Sequence, residues 1–326
     1  MILVTGGTGF IGSHLVDKLL ETKQPFRIFA RRPGSVKNAI TSRGDLATGE
    51  GIAEALDRVE TVIHLAGATK TATSDGYRVG NVAATENLAR AIAATGRPIR
   101  VVHVSSLAAA GPAPDDAAVT EDDEPRPVSL YGKSKLEGER RMRAHVPEAV
   151  IVRPPVVYGP RDTDVFQILK SASRGIAVRI AGGESGGESA GERWFSAIYV
   201  RDLVEGILLA AQSPSSAGKT LFLAHPRPVS FTEMIAEIAE TIGRTPRIIT
   251  IPAAAAFAAG SCAETLSRLT RKPGILSRDK VREMICTRWV CSTDRAQKEI
   301  GFEAVTDFRE GIEKSVAWYR IAGWLR

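Results

Sequence analysis

The sequence predicts an α/β protein: a doubly wound parallel sheet followed by a smaller, partly interleaved C-terminal α/β lobe. Short apolar runs and helical-period segments alternate through the first half, the pattern of a parallel sheet covered on both faces. A glycine-rich turn, TGGTGFIG at residues 5–12, directly follows the first apolar run. After residue 155 the composition shifts to short strands mixed with helices. A chain of 326 residues has room for one large or two intimately joined units around a sizeable core.

Ile2-Leu3-Val4 reads as the first strand. Phe10 to Leu20 reads as the first helix, with Ile11, Leu15 and Leu19 at helical spacing. Phe26 to Ala30 is a second strand, and a third is expected to end near Gly44-Asp45. Thr61 to Ala66 forms the fourth, followed by a long alanine-rich helix from Tyr77 to Thr95. Ile99 to Ser105 is the fifth strand, Leu130 to His145 a helix, and Ala149 to Arg153 the sixth strand. Beyond them, Phe231 to Ile242 and Phe308 to Tyr319 read as helices. The tract GGESGGESAG at 182–191 has nothing apolar to bury and is expected to be a mobile loop. His64 and His103 fall on core strands and are expected to be hydrogen-bonded there. Trp289, Trp318 and Trp324 read as packing anchors.

Hydrophobic content of 44% and charged content of 25% are ordinary for a globular protein. The net charge of +6 is spread without a dense block, which suits an anionic small ligand better than nucleic acid. Cys262, Cys286 and Cys291 match no metal-binding spacing, so no metal is expected, and sparse thiols fit a reducing compartment. No secretory leader is read before the first strand. The apolar stretch Ile248 to Ala263, 16 residues interrupted by Pro252, is too short to span a bilayer. The expected location is the cytoplasm.

The glycine turn fits two registers. Gly7, Gly9 and Gly12 match the dinucleotide fingerprint G-x-G-x-x-G; Gly6, Gly9 and Gly12 match a Thr-Gly-x-x-Gly-x-x-Gly variant. Either lets backbone amides and the helix N-terminus meet a pyrophosphate. The residue that reads the ribose is expected about 20 positions on. There the sequence has Ala30-Arg31-Arg32 and no carboxylate, so guanidinium groups favour the 2′-phosphate of NADP over the 2′-hydroxyl of NAD, NAD remaining possible.

Thr5-Gly6-x-x-Gly9-x-x-Gly12 together with Tyr131-Gly-Lys-Ser-Lys135 resembles the extended branch of the short-chain dehydrogenase/reductase superfamily, the NAD(P)-dependent epimerase/dehydratase type. The resemblance covers most of the chain and selects the Gly6/Gly9/Gly12 register. It implies a Rossmann-type cofactor domain over residues 1–155 and a mainly substrate-binding lobe over 156–326, with residues 195–212 packing back on the first domain. It implies cofactor contacts from Gly6, Thr8, Gly9, Phe10, Ile11, Gly12, Arg31, Arg32, the adenine-side pair Asp45-Leu46, the wall Leu65-Ala66-Gly67, and Pro154 and Val156 from the R-P-P-V-V-Y-G-P segment. The S-S-L-A-A-A-G segment implies Ser106 as the catalytic serine, and Asn81 matches a helix-four asparagine that supports a proton-relay water. The V-x-D-L element around Asp202 is structural in the family. The serine and R-P-P segments are most similar to 3β-hydroxysteroid dehydrogenase-like and dihydroflavonol reductase-like members. Related proteins often pair the helix before the fifth strand and the Tyr131 helix into a four-helix bundle, so a homodimer is expected.

The chemistry follows from residue types. Tyr131 and Lys135, at i and i+4, share one helix face. A lysine ammonium and an oxidised nicotinamide nearby are expected to draw the phenol down from its ordinary value near 10. Tyr131 then exchanges a proton with the substrate oxygen as general acid/base, Ser106 orients that oxygen, and Lys135 also bonds the nicotinamide ribose. The expected function is an NADP-dependent oxidoreductase acting on a secondary alcohol or ketone. The alternative is a nucleotide-sugar epimerase with retained NAD(P), in which Arg161 and Arg193 serve the sugar diphosphate. A dehydratase fits poorly, because Leu107-Ala108 follow Ser106 where acidic residues are called for. A non-catalytic sensor fits poorly because the tyrosine–lysine pair is intact.

Overall fold

A computed structural model describes residues 1–325 apart from 33–35, 37, 38, 72, 115, 116, 182–191, 271–273 and 275; at 74 and 268 it describes the backbone only. The tract expected to be a mobile loop, 182–191, lies outside the described residues.

Seven parallel strands form the main sheet. In chain order the first six are β1 (Ile2–Thr5), β2 (Phe26–Ala30), β3 (Ile40–Arg43), β4 (Thr61–His64), β5 (Arg100–Val104) and β6 (Val150–Val152). The spatial order is β3-β2-β1-β4-β5-β6, with Thr220–Leu221 adding the seventh strand beside β6. Strand order reverses at β1, so the crevice at its carboxyl end is where this architecture holds ligands. Side chains alternate between the two faces and both faces are buried. On β1, Val4 joins one apolar cluster with Leu15, Leu19, Val102 and Val104. Its neighbour Leu3 joins the cluster on the other face with Val62, Leu88, Val101 and Ile151. That is why these strands read as unbroken apolar runs.

The first helix, Phe10–Glu21, covers one face beside a helix from much later in the chain, Val200–Gln212. Leu203, Val204 and Ile207 of the later helix lie fully buried in the same cluster as Leu15 and Leu19. Asp202 anchors that later helix by accepting bonds from the Thr306 amide (2.8 Å) and hydroxyl (3.0 Å). The opposite face carries the helices Ala84–Ala94 and Leu130–His145.

A separate cluster holds Tyr158, Phe166, Leu169, Ile238, Ile312 and Tyr319, packed from Asp164–Ser173, Phe231–Ile242 and Phe308–Ile321. Trp318 and Trp324 stack around Tyr319 there as packing anchors. Small strand pairs edge this region, including Ile176–Ile180 parallel to Arg247–Ile251.

The long helix expected from Tyr77 differs in the structure. Helical backbone starts at Ser74, widens to a π-helical stretch over Arg78–Ala83, and resumes as α-helix over Ala84–Ala94. Apolar periodicity does not register such a widened turn, which carries Asn81, whose side-chain bonds are described below.

Candidate active site

The glycine turn settles its register by sterics. Gly6 adopts φ +73°, and a side chain on it would come within 2.6 Å of the Ala66 amide nitrogen at the end of β4. A side chain on Gly12 would collide with the Gly6 carbonyl. Gly7 has no such demand, its nearest neighbour being an Ile28 methyl at 3.2 Å. Gly9 donates its amide to the Gly6 carbonyl (2.9 Å) and stands at the start of the first helix. No side chain caps that helix, and its first turn carries no acid. Thr8 and Gly9 are exposed, Phe10 and Ile11 half-buried. A close backbone turn leading into an uncapped, acid-free helix end suits a pyrophosphate.

The other cofactor-side residues converge on the same sheet edge. Thr5 ties β1 to β4: its hydroxyl meets His64 Nδ1 (2.7 Å) and accepts the Ala66 amide (3.3 Å), setting the course of Leu65-Ala66-Gly67. Arg31 and Arg32 are exposed just past β2. Asp45 is half-buried and accepts the Ala47 amide (2.9 Å), shaping the loop that carries Leu46. Asn87 holds that loop from behind, donating to the Leu46 (2.9 Å) and Ala47 (3.1 Å) carbonyls. Nothing in the sequence singled out Asn87. The Pro154 carbonyl accepts the Leu107 amide (2.8 Å), joining the R-P-P segment to the serine segment, and Val156 is 42% exposed.

Tyr131 reaches Ser106 because its helix packs closely there. A Cβ at Gly132 would collide with the Ala108 carbonyl, so only glycine permits the approach. Burial pushes the Tyr131 phenol up to about 12, hydrogen bonding with the Ser106 side chain pulls the other way, and the Glu283 carboxylate adds to the rise. Ser106 Oγ also accepts the Ala108 amide (3.1 Å), which fixes its rotamer. Lys135 is almost wholly buried, donates to the Val104 carbonyl (2.8 Å), and is pulled down to about 8 by burial. The expected lowering of the tyrosine is therefore not a property of the protein alone: desolvation dominates, and the phenol holds its proton.

Asn81 sits in the widened helical turn, 2% exposed, with its amide fully engaged. It donates to the Ala68 carbonyl (3.0 Å) and Ser134 Oγ (2.9 Å) and accepts the Ala68 amide (2.7 Å). Its side chain clasps the Gly67-Ala68 turn to the Tyr131 helix, which is a positioning geometry.

One expectation is corrected. Both histidines are buried and stack at 5.0 Å, but only His64 is hydrogen-bonded, through Thr5 and Thr85. Neither ring nitrogen of His103 finds a partner among the described residues, because its ring faces the His64 ring and the buried Lys135 region. Burial drives His64 down to about 3 and His103 well below its ordinary value, so both are neutral. Arg161 and Arg193, assigned to a sugar diphosphate in the alternative reading, are engaged elsewhere. Arg161 pairs with Asp17 (2.7 Å) and Ser13 (3.1 Å) on the first helix, and Arg193 donates to the Ile180 carbonyl.

Further residues near Tyr131 come from distant sequence. Asp279 accepts the amides of Leu130 (2.7 Å) and Tyr131 itself (3.3 Å), capping the Tyr131 helix from the helix Arg278–Ile285. Beside it, the Ser129 hydroxyl donates to Glu283 (2.6 Å) and accepts the Gly132 amide (2.9 Å). The Tyr77 ring lies 6.0 Å from that of Tyr131.

The profile of the NAD dependent epimerase/dehydratase family matches residues 2–223. The chain is 30% identical to a ceramide reductase of Caulobacter vibrioides, over all of this chain and 96% of that protein. It is 26% identical to a 2-alkyl-3-oxoalkanoate reductase of Stenotrophomonas maltophilia, over 96% of this chain and 97% of that one. Among solved structures it is similar to MoeE5 in complex with UDP-glucuronic acid and NAD, at 27% identity and a TM-score of 0.77, covering 98% of this chain and 99% of that one.

Proposed function

Because the chain belongs to the NAD-dependent epimerase/dehydratase family and is an NAD(P)-dependent enzyme of the extended short-chain dehydrogenase/reductase type, we propose that it reduces a ketone on an apolar substrate with NADPH, Tyr131 acting as general acid. The observation that carries this reading is the grouping of Tyr131, Ser106 and Lys135 at the end of β5. The Tyr131 hydroxyl is hydrogen-bonded with Ser106, and Lys135, one turn on in the same helix, is held by the Val104 carbonyl (2.8 Å), so a phenol that keeps its proton stands ready to give it to a carbonyl oxygen.

The glycine turn, the uncapped helix end and the Leu65-Ala66-Gly67 wall fit a dinucleotide, which when bound supplies the hydride. The chain's own residues do the rest. Ser106, its rotamer fixed by the Ala108 amide, orients the carbonyl oxygen. Tyr131 donates its proton to that oxygen as negative charge builds there. Lys135, charged below about 8, stabilises the phenolate left behind. Asn81 and Asp279 are positioning residues: one pins the turn that faces Lys135, the other the first turn of the helix that carries Tyr131. The similar ceramide and oxoalkanoate reductases support an apolar carbonyl substrate. Arg161, paired with Asp17, and Arg193, bonded to the Ile180 carbonyl, would have to exchange those partners to serve a sugar diphosphate.

Cofactor choice tests part of this proposal. Arg31, exposed just past β2, is expected to favour NADPH over NADH, and Arg31→Asp to shift the affinity ratio on the order of tenfold or more toward NADH. Fluorescence titration with both cofactors measures it; equal affinities in the unaltered protein would remove the NADP assignment. The reaction itself is tested with purified protein, NADPH and an aliphatic ketone, where one equivalent of NADPH is consumed per alcohol formed.

A further inference from the structure

The helix Ala253–Thr270 presents to solvent a face that an ordinary surface helix would fill with charge. Its exposed positions include Ala255, Ala258, Ala259, Cys262, Leu266 and Leu269, and no described side chain on that face is charged. Leu266 and Leu269 are 60% and 78% exposed. The hydroxyls of Thr265 and Thr270 donate back to the Ser261 (3.0 Å) and Leu266 (2.8 Å) carbonyls of the same helix, so little polarity is left outward. The strand pair that leads into the helix also exposes apolar residues: Ile176, Val178 and Ile249 share one face of it and are 42–44% exposed.

Charge says what covers this surface. Residues 244–282 hold eight Lys/Arg and two Asp/Glu; the rest of the chain holds 35 of each, so the whole net charge of +6 resides in this stretch. No single run is dense, but the excess is local. Asp279 is buried against the Tyr131 helix, and Glu264, half-buried, accepts the Arg278 amide (2.9 Å). Arg244, Arg247, Arg278, Lys280 and Arg282 are exposed in the same stretch, Lys280 paired with Glu283 (2.9 Å) and Arg282 3.8 Å from Asp279. Exposed leucines on an element with a cationic excess are the chemistry of the interface of an anionic bilayer. No helix among the described residues is long and apolar enough to cross a membrane, so the element would lie in the interface.

We propose that the strand Arg247–Ile251 and the helices Ala253–Thr270 and Arg278–Ile285 dock the protein on the surface of an anionic lipid bilayer, where an amphiphilic carbonyl substrate resides; the substrate clause rests on the reductase reading. The same stretch carries Asp279, which grips the amides of Leu130 and Tyr131, so the docking element is joined directly to the catalytic helix.

Sedimentation of the full-length protein with vesicles tests this without any turnover, so its outcome is independent of the reductase assignment. At low salt the protein is expected to sediment with phosphatidylglycerol vesicles and to stay in solution with phosphatidylcholine. Leu266→Glu/Leu269→Glu should lower the bound fraction about tenfold, as should Arg244→Glu/Arg247→Glu, while NADPH titration shows both variants folded. Absence of sedimentation with phosphatidylglycerol would overturn the proposal. So would undiminished vesicle binding by both variants, or light scattering in which the leucine variant splits a dimer and keeps its lipid binding.

Discussion

Tyr131→Phe is expected to lower NADPH-dependent ketone reduction roughly a hundred- to ten-thousand-fold while leaving NADPH affinity almost unchanged. The hydroxyl is the only group removed, and it is hydrogen-bonded with Ser106 in a half-buried site. The ring stays packed by the close approach of Gly132 to Ala108 and by Tyr77, so the fold is preserved. The same chemistry sets the pH dependence. Tyr131 holds its proton across the neutral range, and Lys135 loses its charge as pH rises past about 8. The value of kcat/KM for the ketone is therefore expected to be level below pH 8 and to fall above it. A rise through the same window would assign Tyr131 as a base and contradict its role as the acid in reduction.

The largest stability effect is expected at the buried ion pair behind the site. Arg153 donates to Glu139 through Nε (2.9 Å) and Nη2 (2.6 Å), and the two side chains are 5% and 3% exposed. Glu139 belongs to the Tyr131 helix, and Arg153 opens the R-P-P segment, so the pair couples the catalytic helix to the end of β6. Glu139→Ala strands a guanidinium away from water and is expected to cost about 3–5 kcal/mol. Replacing both partners with apolar residues of similar size, Glu139→Leu/Arg153→Met, removes the stranded charge and should recover most of that loss. Urea unfolding of the two variants measures the difference. A single variant as stable as the original would mean that water reaches Arg153.

The strands, the glycine turn and the Tyr131 helix were legible because each follows from local rules. Burial of both sheet faces writes a continuous apolar run at Ile2–Val4 and one broken only by Arg27 at Phe26–Ala30, and the helix Leu130–His145 has the ends expected. Choosing between glycine registers was harder from residues alone, since Gly6 and Gly7 are adjacent. The positive φ of Gly6 and its contact with Ala66 decide it, and that contact joins segments 60 positions apart.

What the sequence hid is of that kind. Asp279 and Glu283 reach the catalytic helix from about 150 positions away, and no spacing rule links a cap to a helix at that distance. The widened turn at Arg78–Ala83 changes hydrogen bonding without changing which residues are apolar. Whether His103 has a partner depends on what the neighbouring strand presents, here another imidazole ring.

The most direct test of the central claim follows the hydride by isotope. With NADPH carrying deuterium on the transferred position of C4 and a ketone as substrate, the account predicts one deuterium on the carbinol carbon of each alcohol formed, with the oxidised nucleotide released after every turnover. Purified protein that retains its nucleotide, epimerises a sugar nucleotide and leaves NADPH unconsumed would contradict it.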